Sequence, residues 1–102
     1  MLENTLARAL TKYRIHIQVD NKFSAHKIYV LSRQLDVCEN YLSQGNKPTG
    51  TWMADNKSIL SKVVEYAHDI IHAEDLQDNR NADLHEEHQD LNKCMTFFKE
   101  LK

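Results

Sequence analysis

The chain of 102 residues has few structure-breaking residues, with only two glycines and one proline. Their scarcity predicts long, uninterrupted secondary-structure elements. The two cysteines, Cys38 and Cys94, lie far apart without the spacing of a metal or redox motif, which excludes a disulfide-rich scaffold. No apolar run approaches the roughly 18 residues of a membrane span, and the N-terminus lacks the apolar segment of a secretion signal. We therefore expect a cytoplasmic protein that does not contact a membrane.

Positive charge is also never concentrated in one block. Residues 1–62 carry nine Lys and Arg against five Asp and Glu, whereas residues 63–102 carry four against ten. A nucleic-acid-binding surface usually needs clustered Lys and Arg, so nucleic acid is not an expected partner. The length is that of one domain, which we assign to residues 1–102.

Apolar residues recur every three or four positions in four segments, which is the pattern of amphipathic helices. The predicted helices span residues 2–19, 24–44, 55–75 and 82–101. Short connections between helices of similar length predict an all-α fold, a single-domain antiparallel (up-down-up-down) four-helix bundle. In the first segment Ile15, Ile17 and Val19 also alternate as a short strand would, and this is the alternative for that segment.

Local signals mark the ends of these helices. Ser24 and Asp55 have the side chains of N-caps, and Gly45 is typical of a helix C-terminus. The third helix has the widest apolar face, and the pattern predicts Val63 and Ile70 near its centre. The segment from Gly45 to Ala54 is predicted to be the one long loop.

Four of the six histidines lie between residues 68 and 88. His68 and His72 share one helix face, and His85 and His88 share a face of the next helix. Neutral imidazoles suit zinc or iron, so a metal-binding bundle through these four residues is one alternative function. At about 100° per residue, however, the four side chains lie roughly 80–150° from the centres of their apolar faces. Side chains at these angles would not converge on one ion in the interior of the bundle. We therefore expect no metal or cofactor.

Glu87 lies close to the apolar face of the fourth predicted helix. A buried carboxylate must be paired or protonated. If the helix extends back to Arg80, that residue lies on the same side of the helix as Glu87 and could form an ion pair with it. The preferred interpretation is that this end of the helix meets solvent and leaves Glu87 hydrated.

The string RNADLH, from Arg80 to His85, resembles the R-x4-6-H signature of the HEPN superfamily. Members of that superfamily are helical bundles, and many are metal-independent RNases that act as dimers. The resemblance implies that His85 would act as general acid or base, Arg80 would stabilise the phosphate transition state, and Asn81 would orient them. The surrounding carboxylates would repel RNA, so this RNase activity is an alternative function.

The second predicted helix has a second apolar ridge beside its main stripe. The ridge and the nearby loop supply the predicted partner-binding residues: Val30, Gln34, Val37, Tyr41 and Trp52. The competing interpretations are that the ridge widens contacts within the bundle and that Trp52 folds over the bundle end. We expect a non-enzymatic regulator, inhibitor or adaptor that binds another protein, with a homodimer formed through helix 2.

Overall fold

The computed structural model describes the backbone of residues 2–77 and 82–101, and the side chains of residues 2–71 and 86–101. Within those residues the chain is all-helical and contains no strand. The described residues form five α-helices, in chain order: α1 (Leu2–Val19), α2 (Ala25–Ser43), α3 (Gly50–Asp55), α4 (Lys57–Gln77) and α5 (Ala82–Glu100). The all-α prediction is therefore confirmed, and the four long helices lie close to their predicted bounds.

The first helix continues through the segment for which a strand was the alternative. Ile17 is fully buried, whereas Ile15 and Val19 are exposed, because in α1 these residues point in different directions. The strand alternative is therefore wrong. Beyond α1, Asp20 ends the helical pattern, and its carboxylate accepts a hydrogen bond from the Lys22 amide at 2.9 Å.

The ends of α2 follow the sequence signals. The Ser24 hydroxyl accepts a hydrogen bond from the Lys27 amide at 3.2 Å, which satisfies a backbone donor that the helix leaves unpaired. At the other end Gly45 adopts a φ of 84°, and its amide donates to the Leu42 carbonyl at 3.1 Å. A side chain at this left-handed position would add strain, so the glycine is suited to terminating the helix.

The long predicted loop contains the short helix α3. Thr49 caps it by accepting a hydrogen bond from the Trp52 amide at 3.1 Å. Asp55 is the last residue of α3 and not an N-cap, so that prediction is wrong. Asn56 forms the junction: its side-chain amide donates to the Trp52 carbonyl at 2.9 Å, and its own carbonyl accepts from the Leu60 amide at 3.0 Å.

The core lies between the four long helices. Helix α1 packs against α2, α4 and α5, and α4 packs against α2, α3 and α5. Among the largest fully buried side chains are Leu6, Leu10, Ile17, Leu35, Leu60, Val63, Ile71 and Leu91. Ile71 is buried while Ile70 is only partly buried, so the apolar face of α4 is centred slightly away from the predicted position.

Candidate functional site

The outer face of α2 exposes three large apolar side chains. Tyr29, Val30 and Val37 are 58%, 40% and 59% exposed, although the opposite face of the same helix buries Leu31 and Leu35. Val30 and Val37 therefore present a substantial part of their surface to solvent and do not belong to the core. Gln34 lies between them and is partly buried.

Charged side chains flank this apolar surface. The Arg33 guanidinium donates to the Tyr29 hydroxyl at 2.8 Å and lies 5.7 Å from the centre of the Tyr29 ring. Asp36 accepts from Arg14 of α1 at 2.6 Å and is 65% exposed, so it retains capacity to accept further hydrogen bonds. A shallow groove of about 310 Å³ runs between these groups, lined by Tyr29, Arg33, Asp36, Val37 and Asn40. We call these five residues together with Val30 the α2 surface.

Tyr29 and Arg33 are not among the residues predicted from the sequence to bind a partner. Their spacing from Val37 is i, i+4 and i+8, which places all three on one strip of the helix. That spacing was the signal that could have identified them. Arg and Tyr are also residue types that contribute strongly to protein interfaces.

Tyr41 and Trp52 lie at one end of the bundle. Their rings stack with centroids 4.4 Å apart and planes 9° apart, and the Tyr41 hydroxyl donates to the Lys47 carbonyl at 2.7 Å. Trp52 is buried, and Tyr41 packs against the core. Trp52 thus folds over the end of the bundle, and these two rings hold the loop between α2 and α3. Of the predicted partner-binding residues, Val30 and Val37 are exposed, Gln34 and Tyr41 are partly buried, and Trp52 is buried.

His68 of α4 and His88 of α5 meet at the contact between their helices. Their Nε2 atoms are 3.1 Å apart and their ring centroids 4.8 Å apart, and both side chains are partly buried. Two boundary residues of adjacent helices therefore meet here without pointing into the core. The side chains of His72 and His85 lie outside the described residues.

Two carboxylates of α5 are held by α1. Glu87 forms an ion pair with Arg8 and is only 12% exposed, and Asp90 accepts a hydrogen bond from the Thr5 hydroxyl at 3.0 Å. The expectation of a hydrated Glu87 is therefore wrong, since its charge is compensated by a helix far away in sequence. These contacts fix α5 against α1 on the same stretch of α5 that carries His88.

The RNase alternative rests on residues that the structure does not describe. Arg80 and Asn81 lie outside the described residues, as does the side chain of His85, although its backbone belongs to α5.

The two cysteines are buried and free. Burial, assisted by the charge of Glu39, raises the pKa of the Cys38 thiol to about 11. Burial, assisted by Asp90, likewise raises the pKa of Cys94 to about 11. A nucleophilic cysteine needs the opposite shift, so both residues serve as small apolar core side chains.

Comparison with protein-family models, with curated proteins and with solved structures found no match. Within the part of the chain that the structure describes, none of the helices combines the length and apolar character that crossing a bilayer requires. The candidate sites are the α2 surface and the contact between His68 and His88.

Proposed function

We propose that this protein is a small, non-enzymatic helical protein that binds other protein chains and associates with a second copy of itself through the α2 surface. The observation that carries the proposal is the exposure of Tyr29, Val30 and Val37 on one face of α2. Contiguous apolar surface on a water-soluble domain commonly marks an interface. A regulator, inhibitor or adaptor role fits such a surface.

A second copy suits this surface because the surface is self-complementary. In an antiparallel α2 pair centred between Arg33 and Gln34, Val30 of one copy lies opposite Val37 of the other. The same arrangement puts Arg33 within one helical turn of Asp36 in the second copy. A two-fold axis makes each of these contacts twice, as an isologous interface requires.

The size of the surface limits the affinity. A helix of 19 residues is about 28 Å long, so a single helix pair buries less area than a standard interface of about 1,600 Å². We therefore expect a reversible dimer with a Kd on the order of micromolar. Regulators that exchange partners use contacts of this strength.

We also propose that the four long helices form an antiparallel, up-down-up-down bundle in a reducing, cytoplasmic compartment. Support for the topology comes from the short connection between α1 and α2, which pack together, and from the contacts of α4 with α5. Support for the compartment comes from the two buried free thiols.

Val37→Lys is expected to weaken self-association without unfolding the chain. The substitution places an ammonium group at each symmetric Val30–Val37 contact, and burying that charge without a partner is unfavourable. We expect a loss of about 2 kcal/mol or more, equivalent to about thirtyfold in Kd. Because Val37 is 59% exposed, the monomer should remain folded. Sedimentation equilibrium over a concentration series measures the Kd, and circular dichroism measures the folding.

Val19→Lys is the matched control. It makes the same change at a 72% exposed valine on α1, outside the α2 surface. The Kd of the Val19→Lys dimer should equal that of the unaltered protein. An unaltered protein that stays monomeric at all concentrations would contradict the proposal, as would equal dimerisation of the Val37→Lys variant.

A further inference from the structure

The contact between His68 and His88 has the geometry of two metal ligands. The Nε2 atoms of the two imidazoles face each other with 3.1 Å between them. A tetrahedral zinc ion with Zn–N bonds of about 2.0–2.1 Å holds two ligand nitrogens about 3.3 Å apart. A shift of a few tenths of an ångström, well within side-chain motion, therefore accommodates the ion.

We propose that His68 and His88 bind one divalent transition-metal ion, with zinc as the best fit, through their Nε2 atoms. Imidazole is a preferred ligand for zinc, and neutral imidazole carries the lone pair that coordination needs. The ion would join α4 to α5 and so stabilise the folded chain in proportion to its binding. This inference is independent of the α2 surface, which lies on another helix.

The surroundings provide a rigid frame for the pair. His88 directly follows Glu87, which is fixed by its ion pair with Arg8, and lies two residues before Asp90, which accepts a hydrogen bond from Thr5. His68 follows the buried Ala67 of α4. Ligands held by a packed scaffold lose little conformational entropy on binding, which favours affinity.

Two imidazoles leave part of the coordination sphere to be filled. Among the residues whose side chains are described, no third His, Cys, Asp or Glu completes a group that could hold a metal. Water would supply the remaining ligands.

The pair also fits a direct hydrogen bond, in which one Nε2–H donates to the other Nε2. That arrangement needs no ion and predicts no saturable metal binding. The two interpretations therefore differ in a measurable way, although they share one geometry. A metal titration separates them.

The test is calorimetric titration of the full chain with zinc chloride. The protein carries no histidine tag and is first freed of metal with a chelator. We expect one equivalent of zinc to bind and the melting temperature to rise. His68→Ala and His88→Ala should each weaken binding at least about tenfold, because each removes one of the two proposed ligands. His26→Ala, at an exposed histidine of α2, is the matched control and should bind zinc as the unaltered chain does.

Cobalt(II) provides a second measurement on the unaltered chain. Binding should produce a visible absorption band distinct from that of aqueous cobalt, and zinc should displace it. This result does not depend on whether the alanine variants fold, which circular dichroism checks separately. Absence of saturable binding with an aqueous cobalt spectrum would overturn the proposal, as would unchanged zinc affinity in folded His68→Ala and His88→Ala variants.

Discussion

Ile71→Ala is expected to lower the free energy of unfolding by about 2–5 kcal/mol, as truncation of a buried isoleucine does in other cores. Ile71 is among the largest fully buried side chains, and it lies where α4 faces α1 and α5. The substitution removes three carbon atoms and leaves a cavity that the surrounding helices fill only in part. Urea denaturation followed by circular dichroism measures the loss.

Ile70→Ala is a control in which the same atoms are removed one position away. Ile70 is only partly buried, so part of its surface already meets solvent, and the loss should be clearly smaller. The sequence pattern alone, which placed Ile70 near the centre of the apolar face, would instead imply a large loss at this position. Equal losses at the two positions would show that the face of α4 is oriented differently from the structure.

Cys38 and Cys94 are expected to resist alkylation in the folded protein. The pKa of each thiol is raised from 9.0 to about 11 by burial first and by a neighbouring carboxylate second. At pH 8 the reactive thiolate is then about one hundredfold less abundant than in an ordinary thiol, and burial excludes the reagent as well. Iodoacetamide labelling followed by mass spectrometry should therefore be at least about one hundredfold slower than in denaturant.

The direction of the pH dependence provides an internal check. Because the pKa is raised, the thiolate fraction of the folded chain continues to increase up to about pH 11, whereas that of the denatured chain levels off near pH 9. The difference in labelling rate should therefore shrink as pH rises between these values. Rapid labelling of either cysteine at pH 8 in a chain shown to be folded would contradict its buried position.

Local sequence patterns predicted the helices because a helix is built from short-range information. Apolar residues three or four positions apart specified α1, α2, α4 and α5, and the core of α1 follows that pattern from Leu6 to Ile17. Ser24 and Gly45 act through the backbone within a few residues, so their roles as cap and terminator were readable without the fold.

The α3 segment shows where local information was insufficient. The glycine and proline near its start favoured a loop, yet Thr49 caps a helical turn whose Trp52 and Met53 are buried. Burial of these two large side chains against the bundle compensates for a short helix that would be unstable alone. Asp55 was a reasonable cap by residue type, but the chain had already become helical before it.

The candidate sites depended on tertiary structure in different degrees. The apolar ridge of α2 was visible in the sequence, but whether Val30 and Val37 packed internally or met solvent depended on which neighbours α2 has. Only the folded chain pairs Glu87 with Arg8 and His68 with His88, since each pair joins residues on separate helices. Sequence periodicity therefore determined which residues form helices and which face is apolar. The packing of those helices decided the side-chain contacts, because a rotation of a fraction of a turn moves a boundary residue from solvent to a neighbouring helix.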